Sequence, residues 1–364
     1  MIRILHVLGG LERGGAETMV MNLYRAINRE EIQFDFVIHT PNKGAYYEEI
    51  VALGGIVHHC PRYTGKNHMQ YKAWWKTFLS DHPEYKILHS HVRSTASIYL
   101  KIAKRYQRKT IVHSHSTSNG TGLSSLVKRI LQYPLRHRAD YLMACSNEAG
   151  KWLYGEKACK KENYIFIPNA IDISKYRFTQ DVRDRYRAQL GLEDCFVLGH
   201  VGRFHEAKNH LFLLELFRQV RNQKENARLL LVGDGELRPQ IEEKIHELKL
   251  DDSVILTGSQ SNVADYLQAM DVFVFPSRWE GLPVTVVEAQ AAGLPCLMSD
   301  TVTTDVDLSE LVHRLPITDT APWIRSLCDG TFERKDVTKE IKQSGFDITD
   351  STATLTKFYQ TIGA

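Results

Sequence analysis

Short apolar segments, each followed by a helical stretch, recur along the whole chain, and the series starts over once. In the first half the apolar segments are RILHVL (3–8), QFDFVIH (33–39), KILHSH (86–91), TIVHSH (110–115), YLMACS (141–146) and YIFIPN (164–169), with helical stretches such as AETMVMNLYRAIN (16–28) between them. The second series is FVLGHVGRF (196–204), RLLLVGDG (228–235), SVILTG (253–258), DVFVFPS (271–277) and LPCLMSD (294–300). Strands rich in Val, Ile and Leu that each feed a helix indicate parallel sheets covered on both faces. Between the series, DISKYRFTQDVRDRYRAQLGLEDC (172–195) is polar and reads as a linker plus a surface helix. The expected fold class is α/β, with two doubly wound, Rossmann-like domains over 1–174 and 175–345. The C-terminal helix, about 346–364, is a candidate to pack back on the first. A chain of 364 residues is too long for one ordinary core, which agrees with two domains.

Composition narrows the class. Hydrophobic residues make up 43% and charged residues 24%, as in a soluble globular protein. A formal charge of +3 gives no ground for nucleic acid as a partner. Cys60, Cys145, Cys159, Cys195, Cys296 and Cys328 have no C-x-x-C spacing, which speaks for a reducing compartment and against a zinc or disulfide framework. The opening MIRILHVLGG is too short in its apolar run for a signal peptide and reads as a buried first strand. No apolar run is long enough to span a membrane. A cytoplasmic protein is expected.

Doubly wound sheets bind ligands outside the carboxyl ends of their strands, so polar residues there matter most. GGLERGGAE (9–17) follows the first strand; Gly14 and Gly15 allow close backbone approach, and the helix behind them offers free N–H groups. It is not G-x-G-x-x-G, so a dinucleotide reading is weak. VGDGE (232–236) closes a second-half strand, and Gly233 and Gly235 are explained equally well by a sharp turn. VGRFHEAKN (201–209) sets Arg203 and Lys208 after another strand. FPSRWEGLPVTVVEAQAAG (275–293) places Glu280 in a loop, Pro283 in the first helical turn and Glu288 in the second turn, with Gly293 as the stop. Two carboxylates around a helix N-terminus can accept from the paired hydroxyls of sugar rings. The helix end with Arg203 and Lys208 suits the diphosphate joining two such sugars.

On these motifs the chain resembles the GT-B glycosyltransferases of family 4, the retaining group that acts on nucleotide-activated sugars, and in particular those of bacterial capsular and exopolysaccharide assembly. The resemblance runs from RGGAE to about residue 300: the E-x7-E pair matches Glu280 and Glu288, the arginine and lysine match Arg203 and Lys208, and the interdomain segment matches IPNAID (167–172). Asn209 stands where the family commonly has glycine, which changes the loop's freedom but not its charge. The resemblance implies two Rossmann-like domains facing a cleft. It implies that Arg203 and Lys208 bind the diphosphate and stabilise the departing nucleoside diphosphate, that Glu288 holds the ribose and that Glu280 holds the donor sugar. Asn262 and Val263 are expected to face the base. Gly14, Gly15, Gly233 and the segment Gly281, Leu282, Pro283 and Val284 are expected to line the phosphate and sugar site.

His89, His91, His113 and His115 end first-half strands, and H-x-H places both rings of each pair on one face. Such pairs invite a metal, yet the family needs none. No metal or other cofactor is expected, the nucleotide sugar being a co-substrate. His115 is the expected contact to the donor sugar, with His113 the runner-up. The implied reaction moves a hexose or N-acetylhexosamine, with UDP the expected carrier, onto a saccharide acceptor, itself a candidate for lipid linkage, in cell-surface polysaccharide synthesis. The acceptor is expected on the first domain. MQYKAWWKTFL (69–79), with Trp74 and Trp75, and the basic stretch 122–138 are its candidate surfaces, the latter also a candidate for peripheral contact with the inner face of the plasma membrane. Two alternatives stay open: a sugar-nucleotide epimerase of the same fold, and a non-catalytic partner subunit.

Overall fold

The computed structural model describes residues 1–115, 128 and 130–363. The chain divides into two compact units, one made of 1–170 with 348–364 and the other of 171–347.

The first unit carries seven strands: β1 (Ile2–Leu8), β2 (Ile32–Ile38), β3 (Val57–His59), β4 (Ile87–Ser90), β5 (Lys109–Ser114), β6 (Tyr141–Ala144) and β7 (Tyr164–Phe166). Their order is β3-β2-β1-β4-β5-β6-β7, every pairing parallel. β1 and β2 are buried along nearly their whole length because both sheet faces are covered. On one face Ile4, Leu8, Phe34, Phe36, Ile87 and Ile111 pack under the helices Gly15–Ala26 and Ile348–Gly363. On the other, Leu5, Val7, Leu88 and Val112 pack under Trp75, Tyr99 and Leu100. The C-terminal helix therefore lies on the first unit, where Tyr359 is fully buried.

The second unit repeats the plan with β8 (Phe196–Val201), β9 (Ala227–Val232), β10 (Val254–Leu256), β11 (Val272–Phe275), β12 (Cys296–Ser299) and β13 (Val312–Leu315). The order is β10-β9-β8-β11-β12-β13, again wholly parallel. In each sheet the strand order reverses at one place, between β1 and β4 and between β8 and β11. Crevices for ligands form at such switch points.

Several expectations change. Trp75 is fully buried in the helix His68–Asp81, and Trp74 packs partly against the same core, so the two tryptophans serve the core while Met69 and Lys76 carry the exposed face. The stretch 172–195 is part of the second unit. Its helix Gln180–Leu190 is anchored by the largely buried Arg187, which pairs with Asp271 at 3.3 Å. Most of the basic stretch 122–138 lies outside the described residues. Within the described part, Ile130 and Tyr133 are exposed, while Leu135 is buried and Arg138 donates to the Ser97 carbonyl at 2.7 Å. Among the described residues, no helix is long and apolar enough to cross a membrane.

Candidate functional site

The loops after β8 and β11 flank the switch point of the second unit and are tied to each other. The Arg278 main-chain N–H donates to the Ala207 carbonyl at 2.7 Å. Asn209 spans the same gap, donating from Nδ2 to the Pro276 carbonyl at 3.2 Å and accepting at Oδ1 from Arg278 Nε at 3.2 Å. Its backbone sits at φ 58°, ψ 42°, the left-handed region that favours glycine and that asparagine tolerates. Asparagine here meets the backbone demand of the glycine it replaces and adds a brace between the loops. The expected gain or loss of loop freedom is thus overtaken by two side-chain hydrogen bonds.

That brace holds Lys208 and Glu280 together. Lys208 Nζ lies 2.8 Å from Glu280 Oε1, with both side chains about one-sixth exposed or less. The Lys208 ammonium also sits 4.6 Å from the centre of the Phe275 ring, a cation–π placement. The Lys–Glu contact is close but lacks hydrogen-bond alignment, since Glu280 Oε1 is without a hydrogen-bond partner. Glu288, on the helix Val284–Ala291, accepts from the Tyr176 hydroxyl at 2.8 Å. Burial pushes its carboxyl above the ordinary range; the Tyr176 hydrogen bond and the nearby Lys208 charge oppose that. Lys208 is thereby electrostatically coupled to both glutamates. Arg203 is different: its side chain is 72% exposed and pairs with Glu236 at 3.0 Å.

The helix behind Glu280 starts one residue later than expected. Pro283 (φ −78°, ψ 85°) is the cap and not the first helical residue, because the Val284 N–H turns back to the Leu282 carbonyl at 3.0 Å. That is an inverse γ-turn, and it uses up an N–H expected for the ligand. Gly233 (φ +147°) has a packing job, since a Cβ there would collide with the Gly202 carbonyl oxygen. Asn262 donates to the Tyr186 hydroxyl and to Asp265 Oδ2, so its side chain is engaged within the unit at the start of the helix that begins with Val263.

The second unit's unsatisfied polar atoms are confined to one place. Its buried side-chain atoms without a hydrogen-bond partner, among the described residues, are His200 Nε2, both ring nitrogens of His210, Ser277 Oγ, Glu280 Oε1 and Thr285 Oγ1. All belong to the ends of β8 and β11 or the segments that follow. Buried polar groups are nearly always paired, so their concentration here marks a polar surface prepared for a ligand. Tyr176, His200, His210, Ser277 and Thr285 carried no motif. His200 could have been suspected as a polar residue inside an otherwise apolar strand, while nothing in the sequence signals Tyr176.

In the first unit the switch point is filled by imidazoles. His6 on β1 is in register with His89 on β4, and His91, His113 and His115 extend the stack along the same face. Ring centres are 5.1 Å apart for His6–His89, 4.5 Å for His89–His91, 5.6 Å for His91–His113 and 4.2 Å for His113–His115. Burial lowers every one of these histidines, His6 and His115 to about 3, so the rings are neutral at ordinary pH. His89 Nδ1 meets the Tyr359 hydroxyl at 2.6 Å. Ring nitrogens of His6, His89 and His91, and of His91, His113 and His115, lie within 4.8 Å of one another, close enough to share a metal ion. The near-parallel His113 and His115 rings, 25° apart, carry lone pairs that run side by side more than they converge. Gly14 caps the helix Gly15–Ala26 from an extended conformation, Gly15 is exposed, and the Glu17 side chain folds back over Gly14.

Comparison with known proteins agrees with this geometry. Residues 13–175 match the sequence profile of Glycosyltransferase Family 4, and residues 195–316 match that of Glycosyl transferases group 1. The chain is similar to EpsF of Bacillus subtilis (strain 168), a glycosyltransferase by name, at 35% identity over 368 residues, 98% of this chain and 96% of that one. It is 29% identical over 229 residues to the UDP-Gal:alpha-D-GlcNAc-diphosphoundecaprenol alpha-1,3-galactosyltransferase of Escherichia coli, covering 60% of this chain and 58% of the other. In fold it resembles Anabaena HepE, solved in complex with UDP, with a TM-score of 0.74 at 17% identity over 100% of this chain and 97% of HepE.

Proposed function

Because the chain belongs to glycosyltransferase family 4 and shares the GT-B fold, we propose that it transfers a hexose or N-acetylhexosamine from a UDP-sugar to a lipid-linked saccharide, with retention of anomeric configuration and without a metal. The observation that carries this reading is the cluster of unsatisfied buried polar atoms around Lys208 and Glu280 at the second unit's switch point. HepE was solved with UDP, and the Escherichia coli relative is named for a diphosphoundecaprenol acceptor, which supports the choice of donor and acceptor.

In this reading Lys208 leaves Glu280 for the donor diphosphate, and Arg203 leaves Glu236. The bond between the anomeric carbon and the phosphate oxygen breaks, and its electron pair goes to that oxygen. The acceptor hydroxyl oxygen bonds to the same face of the anomeric carbon, and its proton passes to the departing diphosphate. Lys208 and Arg203 oppose the charge as it develops, the kind of preorganised stabilisation that contributes most to such steps. Glu280, freed from Lys208, accepts from donor-sugar hydroxyls, and Glu288, oriented by Tyr176, accepts from the ribose pair. No protein nucleophile is required. His115 contacts the donor sugar.

The test is a panel of nucleotide sugars, each incubated with saccharides on a polyprenyl diphosphate, with and without chelator. Nucleoside diphosphate release that needs both substrates, survives chelator and gives a product of the donor's anomeric configuration is expected. Release that is the same with and without an acceptor, an inverted product or complete loss with chelator would each overturn the part of the reading it addresses.

A further inference from the structure

Two short contacts set three of the first unit's histidines in a line. His6 Nδ1 lies 2.9 Å from His91 Nε2, and His91 Nδ1 lies 2.8 Å from His115 Nε2. Neutral imidazole has one N–H and one lone pair, so each contact needs one ring to give and the other to receive. The three rings therefore share only two arrangements. In one, protons point from His115 toward His6, leaving an N–H on His6 Nε2. In the other they point from His6 toward His115, leaving an N–H on His115 Nδ1. The number of hydrogen bonds within the line is the same, so the ends decide.

The ends differ. His6 is fully buried, its Nε2 has no partner among the described residues, and the rings of Phe34, Phe36, His89 and His91 stand around it. A buried N–H with no acceptor is among the rarest features of folded proteins, whereas a bare acceptor is tolerated more often. His115 Nδ1 also lacks a partner among the described residues, but it stands at the end of β5, where a ligand can supply one. We propose that His6 and His91 are positioning residues that hold His115 as its Nδ1–H tautomer, so that His115 meets the donor as a hydrogen-bond donor. Isolated histidine side chains prefer the opposite, Nε2–H form, and the hydrogen bond made by the other ring nitrogen is what reverses such a preference. Burial keeps all three rings neutral, which lets the line persist at ordinary pH. The benefit of that donor to catalysis rests on the reading of His115 as a sugar contact; the tautomer itself does not.

The experiment is nitrogen NMR of the full chain labelled in its histidine rings, with His6→Phe, His91→Phe and His115→Asn variants to assign the signals. In the parent protein His115 should show a protonated Nδ1 and a bare Nε2, and His91 the same. His91→Phe should switch His115 to the Nε2–H form. Finding His115 as Nε2–H in the parent overturns the proposal, and because that spectrum needs no variant, a misfolded substitution cannot obscure it. An unchanged His115 tautomer in a folded His91→Phe also overturns it. Added UDP-sugar separates the two ideas. If the tautomer is as stated but the Nδ1–H signal does not move with saturating donor, the line stands and the sugar-contact reading fails. If both hold, folded His6→Phe should lose about tenfold in kcat/KM, one decade of transition-state stabilisation, although His6 touches no substrate.

Discussion

The two units share a strand order, apart from the first sheet's extra edge strand β7, and the same switch point, yet they fill it with opposite chemistry. The first puts five neutral imidazoles between β1, β4 and β5 and leaves the nearby charge to Arg93, which disfavours the protonated form of His115. The second puts Lys208, Glu280 and Glu288 on the segments that follow β8 and β11, a cation paired with one acid and acting electrostatically on the other. Topology fixes where a ligand can bind; side chains fix the chemistry offered there. A diphosphate asks for charge that can be exchanged, and the Lys208–Glu280 pair is charge already held out of water. A sugar asks for directional neutral groups, and a stack of uncharged rings supplies them without a counter-ion.

The largest consequence is acid sensitivity. A histidine whose folded pKa is pushed below the ordinary value of 6.5 refuses the proton that the unfolded chain accepts. Its stabilisation is present above pH 6.5 and is lost as pH falls toward the folded value, about 3 for His6 and His115. Each such ring contributes about 1.4 kcal/mol per pH unit below 6.5. Five in the stack give on the order of 7 kcal/mol per pH unit, against a whole-domain stability of about 5–15. The second unit has two rings of this kind, His200 and His210. Hydrogen exchange followed from neutral pH to about pH 5 should show the first unit losing protection before the second. Equal midpoints, or the reverse order, would break the contrast.

The comparison also separates what the sequence discloses from what it hides. Alternating strands and helices are legible because a strand buried on both faces must be apolar over most of its length, as β1, β2 and β8 are apart from buried polar residues such as His6, Asp35 and His200. The two strands missed, β3 (VHH) and β13 (VHRL), are sheet edges, where one side needs no cover and the apolar run disappears. Lys208 and Glu280 were legible as charges in loops after strands, and Glu288 as an acid in the helix that follows. That Lys208 and Glu280 pair was not, because the contact depends on two loops braced through Asn209. H-x-H spacing predicts which histidines share a face. It cannot predict the His6–His89 register, which is a property of strand pairing.

Next in size is the lysine. Lys208→Ala leaves Glu280 partly buried without its counter-ion, and breaking such a pair from one side costs about 3 kcal/mol. Urea unfolding should show the loss, and the double change Lys208→Ala with Glu280→Gln should restore a good part of it by removing the stranded charge. A single variant as stable as the parent would mean that the pair contributes nothing before donor binds.

The two glutamates should part company in ligand binding. Losing a charged acceptor costs about 1.5–3 kcal/mol. Glu288→Gln should therefore weaken free UDP as well as the UDP-sugar. Glu280→Gln should spare UDP and penalise the sugar-bearing donor and the turnover. Tyr176→Phe sharpens the assignment: removing the hydroxyl that orients Glu288 should repeat the Glu288 pattern in weaker form. Calorimetry with UDP on the three variants decides. Glu280→Gln losing UDP as severely as Glu288→Gln would overturn the division.

The smallest effect belongs to Arg203, and it tests whether the two cations of the second unit are equivalent. Arg203 is largely exposed and its partner Glu236 lies at the surface. Exposed ion pairs contribute little to folding because water and salt screen them, so Arg203→Ala should leave the melting behaviour unchanged. Its attraction for a diphosphate is screened in the same way. Lys208, seated against Phe275 and mostly enclosed, acts through a less polar surrounding where dissolved ions reach poorly. The Debye length falls from about 10 Å at 0.1 M salt to about 3 Å at 1 M. UDP affinity measured across that range should show the Arg203→Ala defect shrinking toward zero while the Lys208→Ala defect persists. If both defects fade in parallel, Lys208 is as open to solvent in the complex as Arg203, and the picture of an enclosed cation beside an exposed one gives way to that of two surface charges.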